Sequence, residues 1–238
     1  MVHPCNIDGG ISLVTSHREE TNSLIEKTTK FEEPLTLFDK NYLVTYQEFS
    51  SAVTKAGYDL PAYEKYFNFV TQLEPLGGIK TKREAAMFLA QILWESDGLK
   101  AKSEYACIKT GCPGLYGTSR YIGNNYYGRG YIQLSWHYNY EAASRAIFGD
   151  DRLLKDPNLV SENDEYAWAT AFWFWKANVG SSGEVKKGYF GSSTMAINGG
   201  LECNGPHKKK AIKRFEIYKV ILSEFHVSEN PIENGCYN

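Results

Sequence analysis

Two carboxyl groups near the middle of the chain have a setting suited to acid–base work. Glu95 closes an apolar stretch, Ala85–Trp94, and stands beside Leu93 and Trp94. Removal from water disfavours the charged form of a carboxyl group, so burial there is expected to raise its pKa, as a general acid needs. Glu104 follows nine residues later. On one unbroken helix it would lie on the opposite face, ~13 Å along the axis. Gly98 interrupts that helix, and the chain can turn there so that both carboxyls face one cleft. On spacing alone, Glu104 reads first as a solvated glutamate beside Lys100 and Lys102.

A second concentration of chemistry lies at Tyr126–Tyr140, which reads Y-Y-G-R-G-Y-I-Q-L-S-W-H-Y-N-Y. Aromatic rings stack on the apolar faces of pyranose rings, and Asn, Gln and Ser bond to hydroxyl and N-acetyl groups. Gly128 and Gly130 would let backbone approach closely. An ordinary aromatic core accounts for some of these tyrosines equally well. Ser135 is not surrounded by a G-x-S-x-G elbow, and no His–Asp partner accompanies it, so it is not read as a triad nucleophile.

The elements that must position these groups are mostly helical. Phe49, Val53 and Ala56 recur at helical spacing, as do Tyr63, Phe67, Val70 and Leu73. Gly77-Gly78 ends that segment. Thr81 with Glu84 three residues on forms a capping-box pattern, which predicts a buried central helix over Lys82–Glu95. Residues 107–130 are rich in Gly and Tyr without periodicity and read as loops. Helices are expected over Asn139–Phe148, Glu165–Ala177 and His207–Glu224, with a flexible connection over 180–191. Trp168, Phe172 and Trp175 fall on one helical stripe and read as core before sugar platform. Lys208-Lys209-Lys210 reads as a solvated face. Residues 1–40 are polar, with few large apolar residues in any period, and read as an extension, partly disordered, ahead of a domain over 41–238.

With 238 residues, 42% hydrophobic and 23% charged, the chain has the composition of a globular protein with a sizeable core. A net charge of −2 argues against a dedicated nucleic-acid binder and suits a neutral polymer. The longest apolar stretches are too short to span a membrane. Five cysteines (Cys5, Cys107, Cys112, Cys203 and Cys236) form no C-x-x-C pair, and no H-E-x-x-H spacing occurs, so no zinc site is expected. Two disulfides with one odd thiol, as in an exported protein, and five free thiols are both compatible with that count.

Several segments together resemble the family 19 glycoside hydrolases, the plant-type and bacterial chitinases. Lys82–Gln91 ending in Glu95 resembles the family's K-R-E-x-A-x-F-L-A-Q-x-x-H-E. Tyr126–Tyr140 resembles Y-Y-G-R-G-P-I-Q-L-S-x-N-Y-N-Y. Phe172–Trp175 resembles A-x-W-F-W, and Ile197–Cys203 resembles I-N-G-G-x-E-C. Arg214 with Tyr218-Lys219 resembles R-x-x-x-Y-K. The likeness runs in order from about Tyr42 to Cys236.

The resemblance implies a mainly α, lysozyme-like fold of two lobes around a substrate cleft. It implies endo-acting hydrolysis of chitin with inversion, Glu95 as general acid and Glu104 as general base at the short spacing of loop-poor bacterial members. Ser135 falls on the residue that helps hold the attacking water. Gln133, Tyr138, Asn139 and Asn198 fall on substrate-binding positions, and Glu202 and Arg214 on charged residues that support the acid. Cys203 and Cys236 match a family disulfide, and Cys107–Cys112 would close a small loop. No metal or cofactor is implied. The expected partner is chitin or its oligosaccharides, with no nucleic acid or membrane, and the expected state is a secreted monomer.

Three departures stand out. Trp94 replaces the usual His before the acid, Tyr131 replaces the usual Pro, and His137 replaces an Asn. Trp94 would keep water from the acid. His137 is equally readable as a substrate contact and as cleft wall. A peptidoglycan hydrolase of the same fold and an inactive chitin-binding protein remain as alternatives.

Overall fold

The computed structural model describes residues 42–118 and 120–238. The polar extension inferred over 1–40, and Cys5 with it, lie outside them. Ten helices occur among the described residues: α1 Tyr46–Lys55, α2 Tyr63–Gln72, α3 Lys82–Glu95, α4 His137–Phe148, α5 Arg152–Lys155, α6 Leu159–Glu162, α7 Asp164–Asn178, α8 Gly183–Lys186, α9 Phe190–Glu202 and α10 Lys208–Glu224. Extended pairing among them is confined to three isolated bridges, Ser103 with Arg129, Arg129 with Leu134, and Tyr189 with Ile232. The architecture is mainly α, as expected.

Helix α3 starts and stops where the sequence predicts. Thr81 Oγ1 accepts the Glu84 N–H at 3.2 Å, which satisfies one of the orphan donors of the first turn. The reciprocal half of the expected capping box is missing. Glu84 instead accepts the indole N–H of Trp175 at 3.0 Å, and burial pushes its carboxyl above the usual range, partly offset by that bond. The complete capping box is on α1: Glu48 N donates to Thr45 Oγ1 at 3.2 Å and Thr45 N to Glu48 Oε2 at 2.9 Å.

Ala85–Leu93 are buried on every side, which makes α3 the axis of the core. One group of helices, α1, α9 and α10, packs together with α3, while α2, α4 and α6 pack on α7. The two groups meet through rings. Phe88 of α3 stacks on Phe172 of α7 at 4.3 Å and meets Trp175 edge-on at 5.5 Å. Trp168, Phe172 and Trp175 are fully or almost fully buried, so that stripe is core. Each such side chain contributes on the order of 2 kcal/mol or more by leaving water.

Two expectations about the elements are corrected. The segment 180–191 is not a flexible connection: it contains α8 and the start of α9. Helix α9 looks loop-like in sequence because Gly191, Ser192, Ser193, Gly199 and Gly200 weaken its helical signal. Its support comes from elsewhere in the chain. Phe190 N and Ser192 N donate to the carbonyls of Ile232 (2.9 Å) and Asn234 (3.1 Å), and Gly191 N donates to Glu233. In α2 the buried residues are Tyr66, Phe69, Val70 and Gln72, so Val70 and the following Leu73 of the expected stripe are buried, while Tyr63 and Phe67 are only half-buried and Tyr66 and Phe69 take their place in the core.

Candidate active site

The connection from Glu95 to Glu104 is a tight backbone turn. Ser96 caps α3 and its hydroxyl donates to Ile92 O at 2.7 Å while accepting from Leu99 N at 2.9 Å. Asp97, Gly98 and Leu99 all have positive φ, of 50°, 69° and 68°. A side chain at Gly98 would also meet the Tyr58 ring, with the nearest ring atom 2.3 Å from its Cβ. The break inferred at Gly98 is therefore present, and the Tyr58 ring leaves no room for a side chain there, at a φ that glycine adopts without strain.

Glu95 ends α3 with its side chain 19% exposed. Arg214 Nη2, from α10, donates to Glu95 Oε1. The same guanidinium grips Glu202, from the last turn of α9, through Nε at 2.7 Å and Nη2 at 2.8 Å, and reaches Gln91 Oε1 through Nη1 at 2.9 Å. Arg214 and Glu202 are almost fully buried. The two carboxylates raise the guanidinium's pKa against the opposing effect of burial. Gln91 is in turn fixed by donating to Ser193 Oγ (2.8 Å) and Thr194 Oγ1 (2.9 Å). One cation from α10 thus serves two carboxylates, one from α3 and one from α9. The Glu202–Arg214 pair is structural and adjoins Glu95 at the same time. Trp94 is partly buried against the core, and its ring lies 5.8 Å from the guanidinium carbon of Arg214.

Glu104 is held quite differently, by neutral donors. The Tyr116 hydroxyl lies 2.9 Å from both carboxylate oxygens, and Gly128 N donates to Glu104 Oε2 at 3.1 Å. Glu104 N donates back to Gly128 O at 2.8 Å. A Cβ at Gly128 would come within 3.0 Å of Gln133 Oε1 and 3.4 Å of Glu104 Oε2, so the backbone here packs closely against both side chains. Burial first, and then the bond to Glu104, push the Tyr116 phenol up to about 12.

The segment that follows Gly128 folds back on itself through the Arg129–Leu134 bridge. Gln133 and Trp136 adopt positive φ of 53° and 75°, strain of the kind that concentrates at functional sites. Ser135 sits between them, and its hydroxyl donates to Gln133 O at 2.9 Å. Gln133 Nε2 donates to Gly130 O at 3.0 Å, and Asn139 Nδ2 to Ser135 O at 2.9 Å. Tyr138 is half exposed and stacks on the likewise exposed Trp136 at 6.1 Å. Asn198 lies at a kink of α9, with φ −146° and ψ 32°, and donates to Glu202 Oε1 at 2.9 Å. Asn198 thereby joins the Glu95 network, while Gln133 packs beside Glu104 across Gly128. His137 is half-buried and its Nδ1 has no hydrogen-bond partner among the described residues.

Tyr131, at the place of the usual Pro, is fully buried. Its hydroxyl donates to Asp164 Oδ1 and accepts from Lys65 Nζ at 2.5 Å, and burial with the Asp164 charge raises the phenol's pKa far above its usual value. A side-chain anchor here joins the segment to α2 and α7. Both disulfides, Cys107–Cys112 and Cys203–Cys236, are formed. Tyr116 and Gln91 were not among the residues inferred from sequence. Gln91 lies inside the Lys82–Glu95 segment. Tyr116 sits in an aperiodic loop where no sequence signal separates it from its neighbours.

Comparison with known proteins bears on this arrangement. Residues 37–187, more than half of the chain, match the sequence profile of the family described as chitinase class I. An endochitinase of Arabidopsis thaliana is 39% identical over 168 residues, which are 68% of this chain and 57% of that protein. Endochitinase A of Zea mays is 36% identical over 157 residues, 64% of this chain and 53% of that one. The chain thus spans just over half the length of these curated relatives. Chitinase C from Streptomyces griseus HUT6037 superposes with a TM-score of 0.65 at 27% identity, covering 82% of this chain and 97% of that one. The family GH19, class IV chitinase from Zea mays superposes with a TM-score of 0.62 at 28% identity, covering 80% and 96%. The helical fold is the one shared by these structures, and the chain belongs to the class I chitinase family.

Proposed function

We propose that the protein hydrolyses chitin internally, by a single displacement that inverts the anomeric carbon. Glu95 protonates the glycosidic oxygen. Glu104 takes a proton from a water that attacks the opposite face of the sugar, and the Ser135 hydroxyl helps orient that water. Such a pair must leave room for the water, so its carboxyls stand about 6.5–9.5 Å apart or more. Gln133, Tyr138, Asn139 and Asn198 bind the sugar chain.

The observation that carries this reading is the unlike support of the two carboxyls. Glu95 shares Arg214 with Glu202. One guanidinium and two carboxylates leave that cluster one charge negative, and a proton on Glu95 makes it neutral. When the proton passes to the leaving oxygen, the guanidinium is already in contact with the carboxylate that remains. Glu104 is bonded to a phenol and a backbone N–H, neutral donors that leave the carboxylate free to accept a proton.

The two disulfides support an oxidising, extracellular setting. No helix of the described residues is long and apolar enough to cross a membrane. Residues 41–238 then act as one catalytic domain, a monomer on its polymer.

The test is digestion of a chitin hexamer with the product anomers resolved by NMR. The native chain should release the α-anomer first, and both Glu95→Gln and Glu104→Gln should abolish release. An initial β-anomer would overturn the inverting course. Fragments released from peptidoglycan but not from chitin would overturn the substrate.

A further inference from the structure

The contact between Tyr116 and Glu104 assigns a role to a residue that no motif singles out. The chain leaves Glu104, makes a short loop closed by Cys107–Cys112, and returns twelve residues later to bond the side chain it left. That loop is pinned at several points. Cys107 N donates to Glu104 O at 2.9 Å, Gly111 N to Cys107 O at 2.7 Å, Leu115 N to Cys112 O at 3.3 Å, and His137 N to Tyr116 O at 3.3 Å. The Tyr116 ring is further braced edge-on by Trp136 at 5.6 Å. The phenol is therefore delivered to the carboxylate by fixed backbone, and does not find it by chance as a mobile surface side chain would.

A single phenolic proton shared between two carboxylate oxygens limits rotation of the carboxyl group about its last bond. Gly128 N fixes which oxygen faces the backbone. A hydrogen bond donated to a carboxylate also favours its charged form, the form a general base requires. Other groups near Glu104 do not substitute for this bond. Tyr140, from α4, is fully buried, and its hydroxyl is bonded to Arg129 Nη1 at 3.1 Å and to Tyr127 O at 2.7 Å. Arg129 is occupied with Tyr140, with Asn125 O at 2.8 Å and with the Tyr127 ring. Lys102 turns to Asp164 at 3.7 Å, and Tyr105 is exposed.

We propose that Tyr116 is the positioning residue of the catalytic base, holding the Glu104 carboxylate in one orientation through a hydroxyl that the chain delivers just after the Cys107–Cys112 loop. The inference rests on Glu104 being the base. It takes Tyr116 to act through Glu104 and not by touching sugar.

Two measurements test it. In protein labelled with 13C at the tyrosine ring carbon bearing the hydroxyl, the Tyr116 resonance is the one lost in Tyr116→Phe. It should move in Glu104→Gln at neutral pH, and an unmoved resonance overturns the contact. In steady-state kinetics on a chitin hexamer, Tyr116→Phe should lower kcat roughly tenfold, as expected for loss of one charge-assisted hydrogen bond, with KM nearly unchanged. The acidic limb of its kcat/KM profile should move to higher pH. Wild-type kcat and an unmoved limb in Tyr116→Phe, with Glu104→Gln inactive, overturn the inference alone. A raised KM with unchanged kcat reassigns Tyr116 to sugar contact and also overturns it. Full turnover by Glu104→Gln overturns the assignment of the base itself.

Discussion

A single nitrogen, Arg214 Nη2, donates both to Glu95 Oε1 and to Glu202 Oε1, the latter at 2.8 Å. Glu95 and Arg214 are 119 positions apart in sequence, so the surroundings of Glu95 exist only once α3, α9 and α10 have packed. The planar fork matters here as much as the charge. Arg214→Lys keeps a cation but cannot serve Glu95, Glu202 and Gln91 together. The expected result is a folded protein less stable by about 3 kcal/mol, because one buried carboxylate loses its partner. Its kcat should fall roughly a hundredfold with little change in KM, through misplacement of Glu95. Urea unfolding and steady-state kinetics check both parts, and near-native kcat in Arg214→Lys would remove the fork from the account.

Gly98→Ala tests the turn between the two carboxyls. The added methyl must accept φ of 69° and occupy space taken by the Tyr58 ring. The left-handed conformation costs about 1–2 kcal/mol and the overlap a further ~1–3 kcal/mol. The denaturant midpoint should drop accordingly. Turnover should fall by more than KM changes, since the relation of Glu95 to Glu104 is disturbed while the sugar-binding segment is not.

Tyr131→Phe separates anchoring from chemistry. It removes the hydroxyl shared by Asp164 and Lys65 but keeps the ring packed 4.7 Å from Trp168. Asp164 keeps Lys65 at 3.4 Å and Lys102 at 3.7 Å, so the loss should be only about 1–2 kcal/mol. Thermal unfolding should show it, whereas turnover at moderate temperature should stay close to native.

Stability should depend on pH through Glu233. Burial raises its carboxyl above the usual range, against the backbone N–H groups of Tyr237 and Asn238, and Oε2 has no hydrogen-bond partner among the described residues. A carboxyl with a raised folded pKa favours the folded state below its unfolded value of about 4.3, and that contribution is lost as pH rises through the folded value. At neutral pH the buried charge is therefore a cost. Glu233→Gln should raise Tm by about 2–4 °C at pH 7, corresponding to ~1 kcal/mol, and the gain should vanish near pH 4. A gain that persists in acid would point to packing instead.

Much of the frame was legible in the sequence because it is local. Helix α3 announces itself through Thr81, an apolar run interrupted only by Gln91, and Gly98. The stripe Trp168, Phe172 and Trp175 has one reading that buries it. Helix α2 is harder, since its many aromatics offer two helical stripes, and packing on rings distant in sequence, Phe49, Phe88, Trp168 and Phe172 among them, selects Tyr66 and Phe69. Helix α9 was hidden because its N–H groups are satisfied by residues 232–234, which no local pattern links to it. The same division holds at the site. Glu95, Glu104 and Ser135 stand in recognisable segments, but Tyr116 reaches Glu104 by the course of a loop, and its role has no signature in spacing or composition.

The dependence of α9 on residues 232–236 has a consequence for the order of assembly. A chain is synthesised from its N-terminus, and its earlier parts fold as they emerge. Residues 190–202 are made before the carbonyls of 232–234 and before Cys236, the partner of Cys203. Until that later segment arrives, the first N–H groups of α9 lack these acceptors and Cys203 lacks its partner. Support of α9 is thus expected to await residues 232–236, made after the helix itself, and the pairing of Cys203 with Cys236.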